Sequence, residues 1–125
     1  MAEAPAADLF RRLRAALETL DLDGFVSCFH DDFVSEQPLH PELGFTGNDR
    51  VRRNWSNKLR PGSDFEAELL RSSVDGDTIW AEWRWGGTKD NGTPRNDRGV
   101  VIYGVRGDRV AWSRLYMDEP STVTG

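Results

Sequence analysis

Three short turn signals divide the second half of this chain and constrain its fold more than any other feature. They are Asp75-Gly76-Asp77, Asn91-Gly92 and Arg106-Gly107-Asp108. Glycine beside asparagine or aspartate lets a chain reverse direction within a few residues, so each signal is typical of a β-hairpin. The segments between the signals alternate in polarity or are rich in tryptophan, as strands are. The pattern predicts an antiparallel meander of four strands, over residues 65–74, 78–88, 98–105 and 109–118.

The first half of the chain has helical periodicity instead. Apolar residues recur every three or four positions from Leu9 to Leu20, and Asp8 is placed to cap that segment. The same reasoning predicts two further helices, over 23–29 and 48–59, with a strand over 32–37 and a loop over 38–47 between them. Helices followed by an antiparallel meander are typical of an α+β fold. We therefore expect three N-terminal helices packed on one strongly curved, mainly antiparallel sheet, with a cavity between the two layers.

Composition and charge indicate the domain number, the partners and the location to expect for this chain. With 125 residues, 38% hydrophobic and 30% charged, the chain is sized for one domain, expected over 9–118 with flexible ends at 1–8 and 119–125. The net charge of −5 argues against nucleic acid as a partner. Neither a membrane-spanning run nor a leader segment is recognisable, and Cys28 is the single cysteine, so a cytoplasmic location is expected. The arginines and Lys58 along the third helix are interpreted as a solvated basic face.

Several local strings carry a resemblance that covers nearly the whole chain, from Leu9 to Asp118. They are Ala16-Leu17-Glu18, Asp21-Leu22-Asp23-Gly24-Phe25, Phe29-His30-Asp31-Asp32, Gly47, Asp75-Gly76-Asp77, Glu82-Trp83, Gly87-Thr88, Arg109-Val110 and Arg114-Leu115-Tyr116-Met117-Asp118. On these residues the chain resembles the SnoaL-like branch of the nuclear transport factor 2-like superfamily, whose fold is also that of the ketosteroid isomerases. The resemblance implies a cone-like fold, a homodimer formed through the outer face of the sheet, and a small hydrophobic or aromatic metabolite as ligand.

The resemblance also indicates which known active sites this chain lacks. Ketosteroid isomerases use a tyrosine and two aspartates, whose matching positions here are Leu13, Gln37 and Val100. The catalytic residues of limonene-epoxide hydrolases are matched here by Leu115, Trp83 and Trp85. Any catalysis is therefore expected to be acid–base chemistry on other residues, such as isomerisation, aldol-type cyclisation, dehydration or hydrolysis. The sequence has no metal-ligand spacing and no nucleotide-binding loop, so neither a metal nor a cofactor is expected.

The loop after the first strand holds the residues best suited to that chemistry. It brings Glu36, Gln37 and His40 together on a segment that two prolines stiffen. Imidazole changes charge near neutral pH, and an apolar site lets a carboxyl group keep its proton, so His40 and Glu36 are the candidate catalytic pair. Gln37 is interpreted as a group that orients a ligand carbonyl. The alternative is that the histidine is a surface residue or a hydrogen-bonding strut.

Strand alternation, taken with the resemblance, separates a cavity face from an outer face. On the cavity face we expect Ala81, Trp83, Trp85, Val100, Ile102, Ser113, Leu115 and Met117, with Trp55 added from the third helix. On the outer face we expect Trp80, Glu82, Arg84, Tyr103, Trp112, Arg114 and Tyr116. Aromatic residues mixed with arginine are typical of protein interfaces, so the expected dimer contacts are Trp80, Trp112, Arg114 and Tyr116. A slip of one residue in the register would exchange the two faces. The alternative function is a non-catalytic binding or interaction module, in which the tryptophans fill the core instead of lining a cavity.

Overall fold

The computed structural model describes residues 5–118, which form three helices, six strands and one short 3-10 turn. In chain order the elements are α1 (Pro5–Glu18), α2 (Leu22–Val26), β1 (Phe29–Glu36), β2 (Phe45–Thr46), α3 (Asn48–Trp55), β3 (Glu66–Asp75), β4 (Thr78–Thr88), β5 (Pro94–Arg106) and β6 (Arg109–Asp118). The 3-10 turn, Pro41–Leu43, lies between β1 and β2. The expected flexible tail at 119–125 lies outside the described residues, as do the first four residues.

The strands form one sheet in the order β2-β1-β6-β5-β4-β3. β3 to β6 pair as the predicted antiparallel meander, β2 pairs antiparallel with β1, and β1 runs parallel to β6. Gly76, Gly92 and Gly107 lie at the three hairpin turns with positive φ, which explains why glycine marks these turns in the sequence. Three helices packed on a mainly antiparallel sheet confirm the predicted α+β cone fold.

α1 packs on the sheet through a stripe of leucines. Leu9, Leu13 and Leu17 recur at four-residue spacing, so they share one face of the helix, and each is at most 1% exposed. Phe10 on the same helix packs against Trp83 and Tyr103, with ring centroids 6.1 and 6.3 Å apart. α1 therefore covers β3 and β4 on the side of the sheet that we call the inner face, and α3 packs against β1.

Some element boundaries differ from the sequence prediction. α1 begins at Pro5 rather than after Asp8, because proline suits the first turn of a helix, and Asp8 lies within that turn instead of capping it. β1 begins at Phe29, where the second helix was expected to end, because Phe29 pairs with Val110 of β6. β5 begins at Pro94, four residues earlier than predicted, because β4 is long enough to pair with it there.

The strand pairing fixes which residues share a face of the sheet. Residues directly opposite each other in an antiparallel pair point to the same side, and Val101 lies opposite Leu115. Val101 is 2% exposed beneath the helices, whereas Val100 and Ile102 point to the other side, which we call the outer face. The prediction that Val100 and Ile102 face the cavity is therefore wrong, as is the outward assignment of Tyr103, which is buried on the inner face.

The central part of β5 explains this error. From Gly99 to Val105 both faces of the strand carry apolar residues, so alternation gives no information about which side is inward. Gly99 is itself required, since its φ is 150° and a β-carbon there would overlap the backbone carbonyl oxygen of Tyr116 on β6. The two strands thus approach each other closely at the point where the sequence pattern is least informative.

Candidate functional site

A cavity of about 460 Å³ lies between α2, α3 and the inner face of the sheet. Its apolar wall consists of Leu17, Phe25, Phe29, Phe33, Leu43, Phe45, Val51, Trp55, Trp85, Val101, Leu115 and Met117. The aromatic members come from two helices and three strands, so the wall exists only once the chain has folded. Trp55, Trp85, Leu115 and Met117 are on the wall, where the sequence analysis expected them.

The aromatic side chains of the wall hold one another in place. The ring centroid of Phe29 lies 4.8 Å from that of Phe33 and 5.0 Å from that of Phe25. Phe25 continues the series to Trp55 at 4.9 Å, and Trp55 meets Trp85 at 5.2 Å with the ring planes at 83°. Three of these four pairs meet edge to face, and the rings of Phe25 and Trp55 are tilted at 50°. Favourably oriented aromatic pairs add about 0.5–1.5 kcal/mol each beyond the burial of their surface. The wall is therefore a preformed aromatic surface that suits a flat or polycyclic molecule.

Trp83 does not line the cavity, although the sequence analysis placed it there. It is fully buried, packs against Phe10 of α1, and donates from Nε1 to the hydroxyl of Tyr103 at 3.2 Å. α1 covers this end of β4, so Trp83 belongs to the core behind the cavity. Its neighbour Tyr103 reaches the cavity instead.

Polar groups are few in the inner part of the cavity and deeply buried. They include the hydroxyl groups of Ser35, Tyr103 and Ser113, the last of which was predicted as a cavity residue. Burial raises the pKa of Tyr103, so the phenol stays neutral and keeps a proton to donate. The indole N–H of Trp85 is buried and has no hydrogen-bond partner among residues 5–118. A buried donor without an acceptor is costly, and a ligand oxygen is one group that satisfies it.

The loop that follows β1 separates the three residues that the sequence grouped together. Gln37 and His40 line the cavity, and the amide of Gln37 donates weakly to the carbonyl of Leu43 at 3.4 Å. Glu36 does not line it, because successive residues of a strand point to opposite sides and its neighbour Ser35 is the one that faces inward. Its carboxylate lies 3.4 Å from Nη1 of Arg114 on the outer face. The predicted pairing of Glu36 with His40 inside the cavity is therefore wrong.

Asp118, at the end of β6, takes the place beside His40 that was expected for Glu36. Its Oδ2 lies 3.3 Å from Nε2 of the imidazole, and both side chains are partly exposed at the cavity mouth. The other ring nitrogen, Nδ1, has no hydrogen-bond partner in the part of the chain that the structure describes. A carboxylate in this position fixes the tautomer by accepting the Nε2 proton, which leaves Nδ1 with a lone pair.

Lys58, Arg95 and Asp97 also line the cavity. The interpretation of Lys58 as part of a solvated basic face is therefore wrong, and Arg95 and Asp97 were not among the predicted site residues. Lys58 lies three residues after Trp55, the spacing at which helical residues share a face, so the sequence did hold a signal for its inward position. Arg95 and Asp97 precede the strand as it was predicted, and they fall on the cavity face only because β5 begins at Pro94. Their side chains form an ion pair at 3.3 Å and are mostly buried.

The outer face carries the residues that the sequence analysis assigned to an interface. Trp80 is 46% exposed and Trp112 is 37% exposed. Arg114 donates from Nε to the hydroxyl of Tyr116 at 3.2 Å. All four residues point away from the cavity, so the same strands present an aromatic wall on one side and an aromatic surface on the other.

Residues 5–118 contain no group of three or more metal-ligating side chains that lie together. No helix in that range is long and apolar enough to cross a membrane.

The second histidine, His30, lies outside the cavity and donates from Nε2 to the carbonyl of Arg106 at 2.7 Å. The cavity is therefore the place where the candidate polar groups and the aromatic wall meet.

Comparison with solved structures finds the same architecture. RV0760c from Mycobacterium tuberculosis, in complex with estradiol-17beta-hemisuccinate, is 19% identical with a TM-score of 0.74, covering 91% of this chain and 94% of its own. An NTF-2 like protein of unknown function from Burkholderia xenovorans is 18% identical with a TM-score of 0.72, covering 97% and 88%. A computationally designed 17-OHP binder is 21% identical with a TM-score of 0.73, covering 91% and 92%. At these identities the likeness shows the fold alone.

Sequence comparison assigns the family. No curated protein matches the chain. The family model for the SnoaL-like domain matches residues 10–113, which span the described structure from the first turns of α1 to the middle of β6. The chain therefore belongs to the family of SnoaL-like domains.

Proposed function

We propose that this chain binds a small hydrophobic or aromatic metabolite in the cavity and acts on it by cofactor-free acid–base chemistry. The observation that carries the proposal is an unfilled cavity that is lined by aromatic side chains and has the imidazole of His40 at its mouth. Its volume of about 460 Å³ falls within the range of about 300–1,000 Å³ that is usual for small-molecule sites. Walls that are mainly apolar favour a ligand that is mainly apolar as well.

His40 is the proposed acid–base group. With the Nε2 proton held by Asp118 at 3.3 Å, Nδ1 accepts a proton from a carbon or oxygen atom of the bound ligand. The carboxylate stabilises the imidazolium that results, and the same proton returns at another ligand atom. This cycle accounts for an isomerisation, an aldol-type cyclisation or a dehydration. In a hydrolysis the proton that Nδ1 removes comes from the attacking water.

Tyr103, Trp85 and Gln37 are the proposed orienting groups. The first two offer a hydroxyl and an indole N–H inside an apolar wall, where a hydrogen bond to a ligand oxygen is stronger than in water. A carbonyl held by such donors gains electron density during proton removal, and the donors stabilise that charge. The acid–base group and the orienting groups thus act on one ligand from different sides of the cavity.

The ligands of two similar structures support a polycyclic molecule. RV0760c was solved with estradiol-17beta-hemisuccinate, and the computationally designed protein binds 17-OHP. Both proteins share the fold of this chain. Estradiol is therefore the first probe of the cavity.

Titration with estradiol tests the binding proposal. We expect saturable quenching of tryptophan fluorescence, because Trp55 and Trp85 line the cavity. Val101→Phe places a ring inside the cavity and is expected to weaken binding at least tenfold. Val100→Phe makes the same change on the outer face at the preceding residue, so it serves as the matched control and is expected to leave the Kd within about twofold. Equal effects of the two variants, or no saturable quenching in the parent chain, would contradict the proposal.

A homodimer formed through the outer face is part of the same proposal. Trp80 and Trp112 expose large aromatic surfaces there, and the Trp112 indole lies over Gly104, where a β-carbon would collide with it. Exposed aromatic residues with an adjacent arginine are typical of the centre of protein interfaces. Because one face of the Trp112 ring lies against Gly104, the opposite face of the ring is available to a second copy of the chain.

Sedimentation of a double variant tests the homodimer. Trp112→Ala combined with Arg114→Ala is expected to convert dimers to monomers, because it removes an aromatic anchor and its neighbouring cation from the outer face. Leu39→Ala with Arg53→Ala removes one exposed apolar and one exposed cationic residue elsewhere, and is expected to leave the mass unchanged. A parent chain that sediments as a monomer at micromolar concentration would contradict this part of the proposal.

A further inference from the structure

One corner of the cavity holds two cationic side chains close together. Lys58 donates from Nζ to the backbone carbonyl of Asn54 at 3.1 Å and lies 5.3 Å from the centre of the Trp55 ring. Within residues 5–118 no carboxylate lies within 4.0 Å of this amine. Its burial, followed by the nearby charge of Arg95, lowers the pKa of Lys58. The ammonium thus lacks a direct counterion in a place where it is also poorly hydrated.

Arg95 is the second cation, and most of its hydrogen-bonding capacity is unused. Its side chain is 14% exposed, and in the described part of the chain its one hydrogen bond runs from Nη1 to Asp97 at 3.3 Å. A guanidinium group has five N–H donors arranged to hold a planar anion by two parallel bonds. A largely buried arginine that makes a single bond therefore has donors left for a partner that enters the cavity.

Trp85 adds an unpartnered donor to the same corner. Its Nε1 is buried without a hydrogen-bond acceptor among the described residues. It lies directly opposite Asp97 in the pairing of β4 with β5, and its ring contacts Trp55 at 5.2 Å. Lys58 and Trp85 thus both contact the ring of Trp55.

The carboxylates near this corner leave Lys58 without a direct ion pair. Asp97 lies 3.3 Å from Arg95, and Asp90 accepts from the amide of Asn57 at 2.6 and 2.7 Å. Both carboxylates act on the ammonium only through space. An incoming carboxylate in direct contact with Lys58 and Arg95 would reduce the repulsion between the two cations.

We infer that this corner is a carboxylate-binding subsite formed by Lys58 and Arg95, and that the ligand of the cavity is an aromatic or polycyclic acid. The ring system lies against Trp55 and Trp85, and the carboxylate meets the ammonium and guanidinium groups at the mouth. This inference rests on the proposed function, because it assigns a chemical class to the molecule that the cavity binds. It also fixes the orientation of that molecule, with the acid group beside α3.

Two isosteric probes distinguish the charge of the ligand from its shape. 2-Naphthylacetate and 2-naphthylacetamide have the same ring and nearly the same size, and only the first is an anion. Calorimetric titration at low salt is expected to give a Kd about tenfold lower for the acetate than for the amide. In 0.5 M NaCl this preference is expected to shrink, because salt screens the interaction of charges at the mouth.

Variants of the two lysines in the chain complete the test. Lys58→Met keeps an apolar stem over Trp55 and is expected to bring the Kd of the acetate to within about twofold of that of the amide, because the contact between opposite charges is lost. Lys58→Arg keeps the charge and is expected to retain the preference. Lys89→Met changes the net charge equally at a residue outside the cavity lining, so it is the matched control and is expected to behave like the parent chain.

Each outcome decides one of the two proposals. Equal binding of acetate and amide to the parent chain overturns the carboxylate subsite and leaves the hydrophobic binding site standing. An equal loss of acetate and amide binding in Lys58→Met also overturns it, because the lysine would then act by shaping the wall. If neither naphthyl probe nor estradiol binds to the parent chain, the proposed function fails and the subsite fails with it.

Discussion

Replacing Trp83 with alanine is expected to lower the free energy of unfolding by about 3–5 kcal/mol. The side chain is fully buried, and its removal leaves a large void between α1 and β4 while stranding the hydroxyl of Tyr103 without its donor. Phe10 loses its edge contact at the same time. Urea denaturation followed by circular dichroism measures the change.

Trp83→Phe is the graded control for this prediction. It keeps an aromatic ring in the core and removes chiefly the 3.2 Å hydrogen bond to Tyr103, so about 1–2 kcal/mol is expected. A loss below about 1 kcal/mol for Trp83→Ala would show that the residue is not enclosed by α1 and the sheet. That result would also reopen the sequence-based prediction that Trp83 lines the cavity.

Replacing His40 with alanine is expected to remove most of the general-base activity of the cavity. The probe is 5-nitrobenzisoxazole, a flat aromatic compound that opens when a base removes the proton on its ring carbon, the N–O bond breaks and a coloured cyanophenolate forms. A positioned general base contributes about 10²–10⁴-fold to proton transfer, so we expect kcat/KM to fall at least about 100-fold. Asp118→Asn is expected to give an intermediate loss, because the imidazole then loses the carboxylate at 3.3 Å.

His30→Ala is the matched control, since His30 and His40 are the two histidines of the chain. His30 is bonded to the carbonyl of Arg106 away from the cavity, and its removal is expected to change the rate by less than about threefold. Equal rates for the parent chain and His40→Ala, with both folded, would assign the histidine to a structural role. The chain would then be better described as a non-catalytic binding module.

The residues at the hairpin turns explain why the four-stranded meander could be predicted from the sequence. Gly76, Gly92 and Gly107 adopt positive φ at the hairpins, and local sequence alone determines these positions. The meander and its order follow from them. β2 could not be predicted, because two residues carry no periodicity and Phe45–Thr46 becomes a strand only by pairing with β1.

The candidate site was less predictable, because it depends on contacts between distant segments. Alternation separated the two faces of each strand, and the family resemblance indicated which face is inward, so Trp85, Leu115 and Met117 were placed on the cavity face. Alternation failed on β5, where Val100 and Val101 are equally apolar and only the pairing with β4 and β6 separates them. The contact of His40 with Asp118 spans 78 residues of sequence, and no local pattern indicates it.

Intermolecular nuclear Overhauser effects show whether a hydrophobic molecule binds on the inner face of the sheet. In a complex with estradiol, we predict contacts from the ligand protons to the methyl groups of Val101, Leu115 and Met117. Contacts to the methyl groups of Val100 and Ile102 instead would place the ligand on the outer face. That result, or the absence of any contact at saturating ligand, would contradict binding in the cavity.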